Sequence, residues 1–370
     1  MGLTGTAGAR LVLALAWSLC SAAAIAADPS QAPAAEGTRM SKDHLLTAPE
    51  PLGEIPFGPA GITYIPSDMG PDSARWPAPV LLLPDHGIWM VDPGADLSSW
   101  RLLRFSMEGR KLLNADLAHL LELSEPRLMI PMAMAADRDN GVFLVAARSF
   151  DFKSGSPLDL VRARLDEQGR PDLITTLPVY DATSTLLAVD GGTVFSRILK
   201  GKHYVWCSID ENGDRHGGGS APVGSQPVAV GGRLLERVDG RTFRVVGQDA
   251  VRLTLEGGPS SGSVPVAGDA SIFGFVRVEP VALDLAASGA YVQARELEVL
   301  KLDLPNSRVV NLGRQTLPPN RFYDDPAMPF QLHRPGQARF DREGNFFDLV
   351  WRADALRVYV QRASRAASRF

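Results

Sequence analysis

Gln337 to Arg362 reads QARFDREGNFFDLVWRADALRVYVQR, three short strand-like runs parted by two turns. Side chains alternate along a strand, so Phe347, Leu349 and Trp351 share one face of the middle run and Phe346, Asp348 and Val350 the other. Asp341-Arg342-Glu343-Gly344-Asn345 supplies a tight reversal in which Gly344 is free to take a positive φ. Arg352-Ala353-Asp354-Ala355 turns the chain again before Leu356, Val358 and Val360. The pattern is an antiparallel meander.

The same grammar recurs upstream. Met132 to Ala136 and Val142 to Ala147 flank Asp137-Arg138-Asp139-Asn140-Gly141, and Leu158 to Leu165 runs into Asp166-Glu167-Gln168-Gly169. Leu186 to Val189 meets Asp190-Gly191-Gly192, and Tyr204 to Ile209 meets Asp210-Glu211-Asn212-Gly213. Unit starts fall near Val80, Met132, Leu186, Val228, Val266 and Gln337. These intervals are uneven, but most come within a few residues of the roughly 40–50 of a four-stranded propeller blade. On these turns and intervals the chain resembles secreted bacterial β-propeller proteins in architecture, without a WD dipeptide or kelch glycine pair to name a family.

The resemblance implies an all-β fold: a β-propeller over residues 61–362, of six blades, with seven as the alternative count. A two-domain β-sandwich protein is the other all-β arrangement. Residues 363–370 read as a C-terminal tail. One short helix is expected in an inter-blade connection, Asn114 to Leu123, with Asn114 as cap and Leu117, Leu120 and Leu121 as its apolar stripe. The last meander supplies three runs where a blade has four. Gly61 to Ile65 is therefore expected beside Leu356 to Val360, closing the ring and removing its edge.

The chain opens on Arg10, an apolar run from Leu11 to Ala26, and an Ala24-Ile25-Ala26 end. That order reads as a secretory signal peptide over residues 1–26, too short for a membrane span, with the mature chain starting near Ala27 or Asp28. Leu19 stands where a lipobox before Cys20 wants a small residue. Cleavage deletes Arg10 and no acid, so 37 basic residues face 42 acidic ones, a net charge of −5. A mildly acidic chain without a basic run argues against a nucleic-acid partner. Only Cys207 survives cleavage, and export without disulfides fits a bacterial periplasm, with an extracellular destination as the alternative. Residues 27–60 are rich in Pro and Ala and read as a linker.

Candidate chemistry is sparse. Asp210, Asn212 and Asp214 have the spacing of calcium-loop oxygens, echoed by Asp137, Asp139 and Asn140. No later carboxylate follows, so a turn whose Asp caps its own backbone is the simpler reading, and calcium is left without support. Cys207 in a strand reads as a small buried residue rather than a nucleophile. The histidines, His44, His86, His119, His203, His216 and His333, show no zinc spacing, so no metal site is expected. His119 is expected on the exposed side of its helix.

The densest polar stretch is the presumed loop Pro318 to Pro335, PPNRFYDDPAMPFQLHRP. Long loops tend to carry function. Arg321, Tyr323, Asp324, Asp325, His333 and Arg334 are the candidate ligand-binding residues: arginines for a carboxylate or phosphate, aromatics for stacking. The leading expectation is a monomeric periplasmic module that binds a protein or carbohydrate partner, or serves assembly, through one face of the disc and without a cofactor. The rival is a propeller hydrolase, lactonase-like or glycoside-cleaving. It would need Asp85, His86, Asp190, Asp324, Asp325 and His333 to converge at the central channel.

Overall fold

The computed structural model describes residues 45–63, 79–93, 100–121, 130–136, 141–151, 156–177, 184–190, 193–200, 203–210, 214–222, 225–248, 251–257, 264–284, 290–322, 336–352 and 354–364. They are nearly all strand. A first strand, β1 (Glu50–Pro56), precedes β2 (Val80–Leu83), β3 (Gly87–Asp92), β4 (Arg101–Phe105) and β5 (Lys111–Asp116). Next come β6 (Ile130–Ala136), β7 (Val142–Asp151), β8 (Ser156–Leu165) and β9 (Pro171–Leu177). β10 (Ser184–Asp190), β11 (Thr193–Lys200), β12 (His203–Ile209) and β13 (Arg215–Pro222) follow. β14 (Gln226–Val230), β15 (Arg233–Arg237), β16 (Thr242–Val245) and β17 (Arg252–Glu256) precede β18 (Val264–Gly268), β19 (Ile272–Asp284), β20 (Ala290–Asp303) and β21 (Arg308–Phe322). β22 (Ala338–Phe340), β23 (Phe346–Trp351) and β24 (Ala355–Gln361) are the meander of residues 337–362.

Each run of four consecutive strands from β2 to β21 is an antiparallel meander, and β22, β23 and β24 are completed by β1. β2–β5, β6–β9 and β10–β13 are separate sheets, while the later groups join into one 12-stranded sheet. The joins are parallel bridges between first strands: β14 meets β18 at Val230–Gly268, and β18 meets β22 at Ala267–Arg339 and Gly268–Phe340. β17 and β21 also pair in parallel, from Thr254–Arg308 to Glu256–Val310. The first strands β2, β6, β10, β14, β18 and β22 neighbour one another in that order, and β22 returns to β2. This is a propeller-like arrangement.

One turn design builds much of it. Asp166 accepts the backbone N–H groups of Gln168 and Arg170 on Oδ1, its own N–H donates to the Arg170 carbonyl, and Gly169 sits at φ 73°. Asp341 repeats the pattern with Glu343 and Asn345, with Gly344 at φ 84°. Ser106 uses its hydroxyl oxygen on the Arg110 N–H in the same way. A short side chain that mimics the backbone, followed by glycine in the left-handed region, is what such a reversal needs.

The core lies between neighbouring antiparallel groups. Leu81, Trp89, Leu102 and Leu117 pack against Val142, Leu144, Val161 and Ala163. Val228, Leu235, Phe243 and Leu253 pack against Phe273, Phe275 and Leu300. Val266, Val276, Leu297 and Val299 meet Ala338, Phe340 and Phe346, while Leu349, Trp351, Leu356 and Val358 meet Val80, Leu82, Ile88 and Leu103. Each fully buried Leu, Ile, Val or Phe contributes about 1.5–3 kcal/mol. Stability is thus distributed around a set of face-to-face contacts rather than one centre.

Two expectations are corrected. The strand beside β24 is β1, paired from Glu50–Val360 to Pro56–Ala355, and not Gly61 to Ile65. Ile62 makes only an isolated parallel bridge to Phe57, and Tyr64 and Ile65 lie outside the described residues. Part of the presumed linker is therefore the closing strand, with Ile55 buried and Arg357 donating to Glu54 at 2.9 Å. A Cβ on Gly53 would stand 2.3 Å from the Glu108 carbonyl carbon, and one on Gly109 (φ 86°) 2.1 Å from the Glu54 oxygen. Only two glycines let this strand touch the β4–β5 turn. The expected helix over 114–123 is also shorter: Asn114 is a strand residue opposite Leu103, and α1 (Leu117–Leu120) is a single turn. Pairing with β4 overrides the helical spacing. His119 is exposed, as its position predicted, and Asp116 rather than Asn114 accepts a backbone N–H of that turn, from His119 at 3.4 Å.

Candidate functional site

Of the candidate ligand-binding residues, Arg321 is the one within the described residues; Tyr323, Asp324, Asp325, His333 and Arg334 lie outside them. The presumed loop from Pro318 is corrected at its start. Pro318 to Phe322 are the last residues of β21, and half-buried Arg321 pairs with Val292. The prolines fit because the register slips between Gln293 and Arg295, so the strand bulges where a ladder N–H is missing. The connection proper shrinks to residues 323–335.

Beneath its starting point lies a buried polar seam between β20–β21 and β23. The Arg295 guanidinium donates to both Asp348 carboxylate oxygens, at 3.1 and 2.8 Å, and its Nε donates to the Pro318 carbonyl at 3.0 Å. The Asn320 amide donates to Gln293 Oε1 at 2.9 Å and accepts the Trp351 backbone N–H at 3.1 Å. Gln293, Arg295, Asn320 and Asp348 are all essentially inaccessible to water. Burial pushes the Asp348 carboxyl above its ordinary range, with the charge and hydrogen bonds of Arg295 pulling the other way. A buried charge persists only if paired and hydrogen-bonded, and this one is. The arrangement is a fixed mount: it locks the end of β21, hence the base of the connection, to β23.

Sequence reasoning missed this cluster. Its one legible trace is Asp348, a carboxylate in the otherwise apolar row of Phe346 and Val350. Arg295, 53 positions away, carries no local sign of being its partner.

The residues a hydrolase would need are spread over several connections. Asp85 is exposed and His86 half-buried in the β2–β3 turn, and the His86 carbonyl accepts from Arg104 Nε at 3.0 Å. Asp190 ends β10. Asp324, Asp325 and His333 belong to the connection that leads into β22. Turns that follow a first strand and connections that precede one leave from opposite ends of strands that run in parallel, as β14, β18 and β22 do.

At Asp210, Oδ1 accepts the Asp214 N–H at 2.9 Å and Oδ2 lies 3.0 Å from His216 Nε2, the self-capped turn of the simpler reading. Cys207 is buried, as its strand position predicted, and His203 is exposed opposite Lys200. Elsewhere Asp92 is buried against Thr63 and Arg101, and Ser225 donates to Glu236 at 2.6 Å while Arg244 Nε donates to its other oxygen at 2.7 Å. These are closed networks with their acceptors occupied. Among the described residues no group of three or more His, Cys, Asp and Glu side chains is placed to hold a metal ion, and no helix is long and apolar enough to cross a membrane.

No protein-family model and no curated protein matches the sequence. Among solved structures, a member of the DUF4221 family from Bacteroides vulgatus is similar with a TM-score of 0.50 at 10% identity, over 86% of this chain and 98% of that one. Puromycin hydrolase has a TM-score of 0.37 at 15% identity, over 69% of this chain and 47% of that one. The first likeness is one of fold and fits a β-propeller architecture; the second is too low to carry an argument.

Proposed function

We propose that this chain is an exported, six-bladed β-propeller that acts in the periplasm as a monomeric binding or assembly module. Its partner, a protein or a carbohydrate, meets the end of the disc that carries the 323–335 connection. The six antiparallel groups and the cycle of their first strands support the blade number. The observation that carries the functional reading is the mount under that connection. Arg295, Asp348, Asn320 and Gln293 form a fully buried, fully bonded seam at the foot of a segment rich in Arg, Tyr, Phe and Pro. A recognition segment on a rigid foot loses less entropy on binding. In this reading Arg321 and Arg334 grip an anionic group, Tyr323 stacks, and Asp324, Asp325 and His333 complete the polar contacts.

Screening the mature protein on arrays of bacterial glycans and peptides tests the proposal. A hit should weaken at least about tenfold in the Arg321→Ala/Tyr323→Ala variant, the loss of roughly one charge-assisted hydrogen bond, with little change in melting temperature. Undiminished binding by the double variant would overturn it. So would turnover of lactone or glycoside substrates that disappears in Asp85→Asn or His86→Ala, which would favour the hydrolase reading.

A further inference from the structure

β23 sends Phe346, Asp348 and Val350 towards β18–β21: Phe346 joins the apolar cluster of Val276 and Leu297, and Asp348 holds Arg295. Arg352 stands one residue past the end of β23 and continues that alternation. It is half-buried, and its backbone N–H closes a turn onto the Ala355 carbonyl at 2.9 Å. Arg352 Nε is withdrawn from water and has no hydrogen-bond acceptor among the described residues.

The acceptors of the seam each have a donor of their own. Arg295 occupies both oxygens of Asp348 and the Pro318 carbonyl, the Trp351 N–H occupies Asn320 Oδ1, and Asn320 occupies Gln293 Oε1. Asp354, two residues on, is exposed and engaged by Arg357 at 3.4 Å. A guanidinium donor kept from water without an acceptor is destabilising, and such a group in a native fold calls for an explanation. Trp351 and Asn320 are hydrogen-bonded neighbours, so Arg352 lies beside the last turn of chain before the 323–335 connection.

We infer that Arg352 is the anchor of an oxyanion subsite at this seam, where a carboxylate or phosphate of the ligand supplies the missing acceptor. This rests on the binding reading above and gives the ligand's anionic group an anchor outside the 318–335 segment. A planar guanidinium suits both oxyanions because its fork presents paired N–H donors.

Isothermal titration of the full mature protein with glucuronate and, separately, with inorganic phosphate reads the subsite directly and tells the two sources apart. Binding of at least one probe is expected, falling at least about tenfold in Arg352→Gln and recovering only in part in Arg352→Lys, which keeps charge but not the fork. Arg352→Met, which keeps the stem and its packing, guards against a variant that merely unfolds: it should lose the probe at an unchanged melting temperature. The inference fails if neither probe binds, or if Arg352→Gln binds as well as wild type. It also fails if a probe binds only once Asp324→Asn/Asp325→Asn is introduced, since the chain's own acids would then fill the subsite. Full probe affinity in Arg352→Gln, alongside loss of the array ligand in Arg321→Ala/Tyr323→Ala, would sink this inference and leave the wider reading standing.

Discussion

Asp348→Ala should be among the most damaging single substitutions in the chain. The Arg295 side chain is wholly buried and would keep the Pro318 carbonyl as its acceptor while losing both carboxylate oxygens. Removing one member of a buried ion pair costs about 3–5 kcal/mol, because the other charge is left uncompensated. A chain of this size loses about 2 °C per kcal/mol or a little less, so the melting temperature should drop by roughly 6–10 °C. Replacing both partners, Arg295→Met/Asp348→Leu, removes the stranded charge and refills the volume. The Pro318 carbonyl then loses its donor, a penalty of about 1–3 kcal/mol, so the double variant should sit between wild type and Asp348→Ala. Wild type, Arg295→Met, Asp348→Leu and their combination form a double-mutant cycle whose coupling, read from thermal and denaturant unfolding, should be at least about 2 kcal/mol. A loss below about 1 kcal/mol in Asp348→Ala would mean that the seam is not the mount described.

Three further outcomes follow from the same geometry. Truncation through Pro56 should cost several kcal/mol, since it strips Ile55 from the core and bares the β24 edge; an unchanged melting temperature would rule out β1 as the closing strand. Gly109→Ala combines a left-handed backbone with a Cβ 2.1 Å from the Glu54 oxygen and should cost about 2–4 kcal/mol, whereas a neutral result would show that the β1–β4/β5 contact is loose. In acid, Asp239, held low by the Arg241 N–H, and Asp303, held low by the Asn306 amide, have folded values below their unfolded ones. Their contribution is present above about pH 4 and lost as pH falls through the folded values, so Asp239→Asn/Asp303→Asn should flatten the melting-temperature profile below pH 4; a parallel profile would refute the assignment.

The meander of residues 337–362 was legible because three things agree there: alternating apolar residues, an Asp-Arg-Glu-Gly-Asn turn and buried partners on both faces. β1 was hidden for a physical reason. An edge strand tolerates proline, and Pro51 and Pro56 sit at a register slip and at the strand's end. The composition that suggested a linker is what protects the edge. β5 failed differently. Leu113, Ala115 and Leu117 satisfy a strand, and Leu117, Leu120 and Leu121 satisfy a helix; only the β4 partner chooses, and it lies outside any local window. The same limit hid the seam, where Arg295 and Asp348 meet across two antiparallel groups from 53 positions apart and only Asp348 leaves a local trace.

The two ends of the antiparallel groups differ in a way that bears on where binding belongs. Turns after first and third strands leave from one end, and four of these, Ser106–Arg110, Asp166–Arg170, Asp210–Asp214 and Asp341–Asn345, share a hydrogen bond from the fifth residue's N–H to the first side chain. A backbone solution repeated this closely leaves little freedom for a site. At the other end the links vary: residues 223–225 separate β13 from β14, residues 323–337 separate β21 from β22, and the β19–β20 hairpin runs on to Asp284 and Ala290 past a bulge at Val278–Val281. Length is the cheapest variable a propeller has, because closing a longer surface loop costs only about 0.6 kcal/mol per doubling. Recognition is therefore expected at the end where length varies, above Asn320 and Arg352.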